Sequence, residues 1–112
     1  MKYALLIYQV PGSVEALSPE QQQASQREYM AIASAPGIVG GEGLQGVDHA
    51  TTVRVQDGKT ITTDGPFAET KEIFGGFYLI EANHLDQVIQ VAARIPAVHQ
   101  GGSVEIRPIL EM

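Results

Sequence analysis

Cysteine is absent from this sequence of 112 residues. Its absence excludes disulfide bonds, thiolate nucleophiles and cysteine-ligated zinc sites, and it gives no sign of an oxidising compartment. Basic residues are also few, since 7 Lys+Arg stand against 13 Asp+Glu and the formal net charge is −6. Because each phosphate contact needs a lysine or arginine, and the seven are scattered along the chain, we expect no binding to nucleic acid or to anionic membrane surfaces.

Long apolar runs are missing as well. The N-terminal run from Tyr3 to Val10 is too short to span a membrane, and no small-residue cleavage site follows it. We therefore expect a cytoplasmic protein with no membrane partner. With 44% apolar and 18% charged residues the composition is that of a globular protein, and the length predicts a single domain over residues 1–112.

The N-terminal third predicts a strand followed by a helix. Tyr3 to Val10 is apolar on both alternating faces, which is typical of a central strand covered on two sides. The sequence Ser18-Pro19-Glu20-Gln21 has the pattern of a capping box, with a serine at the N-cap and a proline at the first helical position. It predicts a helix from about Pro19 to Ala35.

The middle of the chain predicts irregular backbone and then a hairpin. Residues 37–46 contain five glycines, a density that favours turning, close-packed backbone over a regular element. Two alternating segments then flank Asp57-Gly58, the residue pair of a tight turn. This pattern predicts a β-hairpin from Thr51 to Thr63.

The C-terminal part predicts a strand, a helix and a last strand. Phe77 to Ala82 is apolar on both faces apart from Glu81, so it is a second candidate for a central strand. The last strand, around Val104 to Arg107, has one polar face and lies near an edge. Between them an apolar stripe with helical spacing predicts a helix that ends at Pro96 and carries Leu85, Val88, Ile89, Ala92 and Ala93.

The order strand, helix, hairpin, strand, helix, strand predicts a ferredoxin-like α+β fold. Two split β-α-β halves would form an antiparallel sheet with both helices on one face. The central strands also offer apolar side chains to the other face, and nothing in the predicted fold covers it. We therefore expect a homodimer that associates through the sheets.

Candidate functional residues concentrate after the hairpin, in the segment Thr63–Glu72. A Gly-Pro step there fixes the backbone between Asp64, a candidate catalytic carboxylate, and the candidate ligand-binding residues Glu69 and Lys71. An Asx-type turn with solvated charges is the structural alternative. Arg54, on the polar face of its strand, is a candidate clamp for a carboxylate or phosphate, with a cross-strand ion pair as its alternative.

Histidines give one further candidate. His99 lies in a loop that leads into the last strand, and it could act as a general base if folding brings it to Asp64. Exposure of all three histidines in loops or caps is the alternative. No histidine pair has the i, i+4 spacing of a zinc site, so we predict neither a metal nor a cofactor.

The sequence resembles the DGPF branch of the YCII-related family. The resemblance rests on the ten residues from Thr63 to Glu72, on the opening Lys2–Tyr8, on Ala92–Ala97 and on the closing Val104–Ile109, and it spans nearly the whole chain. It implies a dimeric ferredoxin-like protein of bacterial type. It also implies a link to an extracytoplasmic-function sigma factor, since some members of the branch have one.

The sequence departs from the wider family at the residues proposed to form its active-site pair. A histidine on the first helix and an aspartate in an Asp-Pro step make that pair, whereas the matching segments here read Arg27-Glu28-Tyr29 and Ile95-Pro96. The resemblance therefore does not carry the pair over to this chain.

Three functions follow as hypotheses. The first is a binding or regulatory module whose pocket holds a small polar metabolite, and the missing pair favours it. The second is a small lyase- or hydrolase-like enzyme that uses Asp64 in a pocket with Lys71 as electrostatic partner. The third is a protein-protein interaction module, for example for a sigma factor.

Overall fold

The computed structural model describes residues 1–66 and 71–111. Their secondary structure consists of six strands, two helices and two single turns of 3-10 helix at Val47–His49 and Pro96–His99. The strands are β1 (Lys2–Gln9), β2 (Ile38–Gly43), β3 (Thr51–Gln56), β4 (Lys59–Asp64), β5 (Ile73–Glu81) and β6 (Ser103–Pro108), and the helices are α1 (Pro19–Ala33) and α2 (Leu85–Ala92).

Four strands form the main sheet, in the order β2-β5-β1-β6. Every neighbouring pair is antiparallel, and the two strands predicted to be central, β1 and β5, occupy the centre. This order is that of two interleaved β-α-β halves, so the predicted ferredoxin-like α+β fold is confirmed.

Both helices pack on one face of this sheet. Alternate residues of β1, such as Leu5 and Ile7, contact Ile32 of α1 and Val88 of α2 in one cluster. Leu5, Ile32 and Val88 are completely buried. The buried apolar residues are Tyr3, Leu5, Ile7, Ile32, Tyr78, Ile80, Val88, Ala92, Ile95 and Ala97.

The predicted capping box begins α1. The Gln21 backbone N–H donates to Ser18 Oγ at 3.1 Å, and the Ser18 N–H donates to Gln21 Oε1 at 2.9 Å. Pro19 at the first helical position has no N–H, so two of the three unpaired N–H groups at the helix start are satisfied in this way. The helix ends at Ala33, close to the predicted Ala35.

The glycine-rich stretch is the main correction. It contains strand β2, an edge strand of the sheet, so the prediction of irregular backbone over 37–46 was wrong. Glycine is needed there for close approach: a Cβ on Gly41 would lie 2.5 Å from the Phe77 carbonyl oxygen of β5. The glycines that suggested a loop instead let two strands pair tightly.

The hairpin is confirmed, but it lies outside the main sheet. Strands β3 and β4 pair only with each other within the described residues, around Asp57-Gly58, which have φ values of 51° and 75°. These positive φ values fit the tight turns that suit hairpins. We call residues Thr51–Asp64 the arm, and the four-stranded sheet with its two helices the body.

Candidate functional site

A cavity of about 330 Å³ lies between α1 and the sheet of the body. Its volume is at the lower end of the range for small-molecule sites. We call it the Tyr29 cavity. Its lining consists of Ile7, Gln9, Tyr29, Met30, Ala33, Gly41, Glu42, Gly43, Gly75, Gly76, Phe77 and Tyr78.

Glycines create this cavity. Gly43 at the end of β2 is paired with Gly76 of β5, so two neighbouring strands meet there without side chains. A Cβ built on Gly43 would meet no atom within 4 Å, which shows open space beside it. The wall is therefore bare backbone, and any larger residue at this position would occupy the volume that a ligand needs.

Tyr29 lies on the helix side of the cavity. Its carbonyl oxygen accepts a hydrogen bond from Tyr78 Oη at 2.7 Å, which ties α1 to β5. Its own hydroxyl is buried and has no hydrogen-bond partner among residues 1–66 and 71–111. Unpaired buried polar groups are rare because each costs about 1–3 kcal/mol of desolvation.

Burial governs the ionisation of both tyrosines. It raises the pKa of Tyr29, and the nearby Gln9 side chain and Ala97 backbone offset part of that rise without reaching hydrogen-bond geometry. It raises the pKa of Tyr78 to about 12, with smaller contributions from Tyr29 and from the charge of Glu28. Both phenols are therefore neutral hydrogen-bonding groups at physiological pH.

The charge around the cavity is low and negative. Glu42 is the one charged residue among the described lining residues, which include no lysine, arginine or histidine. The chain as a whole carries a net charge of −6. This environment disfavours an anionic ligand and suits an uncharged one.

The structure separates two of the residues predicted to form a site. Arg54 lies opposite Ile61 and Asp64 lies opposite Thr51, so strand alternation places Arg54 and Asp64 on opposite faces of the arm. Both are exposed, and neither lines the Tyr29 cavity. Their predicted roles remain untested predictions.

The other predicted site residues lie elsewhere. Lys71 is exposed in a shallow depression beside Tyr8 and Glu72, and Glu69 falls outside the described residues. His99 is exposed, and its Nε2 lies 2.7 Å from the carbonyl oxygen of Ala93, the C-cap residue of α2. That contact joins the 3-10 turn Pro96–His99 to the end of α2, so His99 does not lie in the predicted loop.

Tyr29 entered the sequence-based predictions only as part of the segment Arg27-Glu28-Tyr29, and neither Gln9 nor these glycines were selected as site residues. The signal that could have located the cavity is the pair of glycine clusters, Gly41/Gly43 and Gly75/Gly76, in segments that become neighbouring strands. Only the strand pairing shows that the two clusters face each other.

The two segments that match the family's active-site pair lie side by side in the fold. The Ala97 backbone, next to the Ile95-Pro96 step, is a close neighbour of the Tyr29 hydroxyl. Glu28 and Arg94 join the same two regions through an ion pair of 3.0 Å. The two segments therefore meet in the fold, without the histidine and the aspartate of the family's proposed pair.

The described residues contain neither a clustered set of metal ligands nor a membrane-spanning helix. No group of three or more histidine, aspartate or glutamate side chains in 1–66 and 71–111 is arranged to hold a metal ion. Over the same residues, neither helix is long and apolar enough to cross a membrane.

Comparisons with known proteins agree with this fold. The chain is 36% identical over 114 residues to an uncharacterised protein of Rhizobium meliloti (strain 1021), covering 97% of this chain and 92% of that protein. A solved structure, 5-chloro-2-hydroxyhydroquinone dehydrochlorinase (TftG) from Burkholderia phenoliruptrix AC1100 in complex with 2,5-dihydroxybenzoquinone, superimposes with a TM-score of 0.58. That match has 16% identity and covers 100% of this chain and 96% of the other, so it supports the fold alone. The profile of the YCII-related domain matches residues 1–112, and the chain belongs to the YCII-related family.

Proposed function

We propose that this protein is a small-molecule-binding module and that the Tyr29 cavity holds the ligand. The observation that carries the proposal is a cavity whose wall includes bare glycine backbone and whose lining residue Tyr29 has a buried hydroxyl without a hydrogen-bond partner among the described residues. An open cavity and an unpaired buried hydroxyl both lower the stability of the fold. Proteins keep such destabilising features mainly at functional sites.

The proposed ligand is uncharged, with an apolar body about the size of one or two rings. Its body rests on the glycine wall of β2 and β5 and against the aromatic lining residues. Its polar group meets the amide of Gln9, which lines the cavity and neighbours Tyr29 Oη. An amide both donates and accepts, so Gln9 can link the ligand to the phenol.

Native mass spectrometry of freshly purified protein, before and after mild denaturation, tests this proposal. We expect a noncovalent adduct on the wild type that is absent from Gly43→Leu, because the new side chain fills the open space at Gly43. Ala24→Leu on the exposed surface of α1 is the matched control, and it should keep the adduct. An adduct that survives in Gly43→Leu contradicts the proposed site.

An enzyme is the second candidate. The structural neighbour in the comparison is named a dehydrochlorinase, and its complex contains a dihydroxybenzoquinone. This favours the alternative of a small lyase- or hydrolase-like enzyme, with Asp64 and His99 as its predicted catalytic residues. If the adducted molecule is instead consumed on incubation, and Asp64→Asn stops its consumption while binding persists, the enzyme hypothesis replaces the binding one.

The interaction-module hypothesis and the sigma-factor partner remain predictions. They rest on the family resemblance.

A further inference from the structure

An irregularity in the pairing of β1 with β5 lies beside the Tyr29 cavity. Ile7 pairs with Gly76, whereas the next residue, Tyr8, pairs with Phe74. Gly75 is therefore the extra residue of a β-bulge, and it lines the cavity. Bulges are common beside functional sites, where they redirect side chains.

The bulge keeps an aromatic ring out of the cavity. Tyr78 and Ile80 are buried on the helix side of β5, and unbroken alternation would turn Phe74 to that same side. Phe74 instead lies opposite Tyr8 and packs on its ring, with the two centroids 5.6 Å apart. It is not among the residues that line the Tyr29 cavity. The space that a regular strand would fill with a phenyl group is therefore open.

The bulge also determines where the Gln9 carboxamide lies. A Cβ built on Gly75 would be 2.7 Å from Gln9 Oε1 and 3.0 Å from Gln9 Cδ. The three atoms nearest to that Cβ in the described chain all belong to the Gln9 side chain. The carboxamide therefore rests on the bare Cα of Gly75, and a methyl group at this position would displace it.

Backbone conformation does not require a glycine at this bulge. Gly58 and Gly101 have φ values of 75° and 86°, in the left-handed region that favours glycine, whereas Gly75 lies outside that region. Other residues can adopt its backbone conformation. The contact with Gln9 is the feature of this position that a side chain would change, and the displaced group would be the end of a flexible side chain rather than the fold.

The position of this amide decides what the cavity can recognise. Gln9 lines the cavity and neighbours the Tyr29 hydroxyl, and its carboxamide can both donate and accept a hydrogen bond. A site that holds such a group in place discriminates against a ligand of the same shape without a polar group, because that ligand leaves the buried amide unpaired.

We propose that Gly75 is a positioning residue that gives the Tyr29 cavity its preference for a ring with a polar substituent over the bare ring. It acts through Gln9, because its missing side chain leaves room for the carboxamide beside the Tyr29 hydroxyl. The inference rests on the proposed function and adds how the site selects its ligand.

Nuclear Overhauser effects in the ligand-free protein test the positioning of Gln9. The wild type should show contacts between the side-chain amide protons of Gln9 and the ring of Tyr29, and Gly75→Ala should lose them. Contacts between the rings of Tyr8 and Phe74 should persist in both proteins, because the bulge itself is unchanged. Gln9–Tyr29 contacts that survive in Gly75→Ala would overturn the proposal.

Fluorescence titrations with 2-naphthol and naphthalene test the selection of the ligand. The wild type should bind 2-naphthol more tightly than naphthalene. Gly75→Ala and Gln9→Ala should each weaken binding of 2-naphthol by about 3- to 10-fold, the effect of one lost hydrogen bond, and leave naphthalene binding unchanged. The double variant should bind 2-naphthol as well as either single variant, since both changes remove the same contact.

Gly40→Ala in the neighbouring strand β2 is the matched control. A Cβ on Gly40 would lie 3.6 Å from Leu79 Cδ1, an ordinary contact, and Gly40 does not line the Tyr29 cavity, so this variant should bind both probes like the wild type. Equal affinity of the wild type for the two probes, or additive losses in the double variant, would overturn the role of Gly75. A wild type that binds neither probe would contradict the proposed function for this class of ligand, and the Gln9–Tyr29 contacts would still decide whether Gly75 positions Gln9.

Discussion

Both the body and the arm contain strands with an apolar face, and they differ in what covers that face. Leu5 and Ile7 of β1 are 0% and 4% exposed, whereas Val53 and Val55, on one face of β3, are more than half exposed. An apolar face predicts a strand in both places, but it does not predict which layer packs on it. The body finds that layer in its own helices, and the arm finds none in the described chain.

Replacing one isoleucine in each region by alanine should give the largest difference in unfolding free energy between the body and the arm. Ile7→Ala should lower the free energy of unfolding by about 2–5 kcal/mol, because a buried side chain is lost from the core. Ile61→Ala in the arm, where the side chain is 40% exposed, should cost less than about 1 kcal/mol. Urea denaturation followed by circular dichroism measures both, and equal losses would show that the arm is packed in solution as firmly as the body.

Hydrogen exchange should distinguish the arm from the body. Cross-strand amides of the arm should exchange at least 10-fold faster than those of the main sheet, because an isolated two-stranded hairpin is marginally stable in water. The amides of β1 that pair with β5 should be the most protected, since both helices cover one face of that sheet. Mass spectrometry of peptides from each region measures the exchange rates, and equal protection in both would break the distinction.

Alkaline pH should destabilise the body through Tyr78. Its pKa of about 12 in the folded protein lies above the ordinary value of 10.0, mainly because the hydroxyl is buried. The contribution of the neutral phenol is therefore fully present below pH 10 and is lost as the pH rises through about 12. Tyr78→Phe should show a smaller decrease in unfolding free energy between pH 9 and 11 than the wild type. Parallel curves for the two proteins would contradict this assignment.

Much of the body could be predicted from the sequence because its signals are local. The capping box at Ser18 and the turn at Asp57-Gly58 each specify structure within a few residues, and both elements form as predicted. Strand β2 was missed because the role of Gly41 depends on its neighbour in β5, which is distant in sequence. The Tyr29 cavity was missed for the same reason, since its wall exists only when two glycine segments pair.

Removal of the Tyr29 hydroxyl tests whether the body is less stable than it could be because it binds a ligand. Tyr29→Phe removes a buried hydroxyl that has no partner within the described chain, so the ligand-free protein should keep or gain up to about 1 kcal/mol of stability. Binding of the copurified ligand should weaken by about 3- to 10-fold, because the complex would lose the one hydrogen bond that we propose the Tyr29 hydroxyl forms with Gln9 when the ligand is bound. Thermal unfolding and titration calorimetry measure the two effects. A destabilised Tyr29→Phe variant would mean that the hydroxyl has a structural partner.

Asp64→Asn should have the smallest effect on stability, and it tests whether the arm takes part in ligand binding. Asp64 is exposed at the end of β4, so the free energy of unfolding should change by less than about 0.5 kcal/mol. Ligand affinity should also stay unchanged, because Asp64 does not line the Tyr29 cavity. Calorimetry with the copurified ligand checks this, with Asp57→Asn at the other end of the arm as the control. A loss of affinity in Asp64→Asn alone would show that the root of the arm takes part in the site, and the functional separation between body and arm would then be wrong.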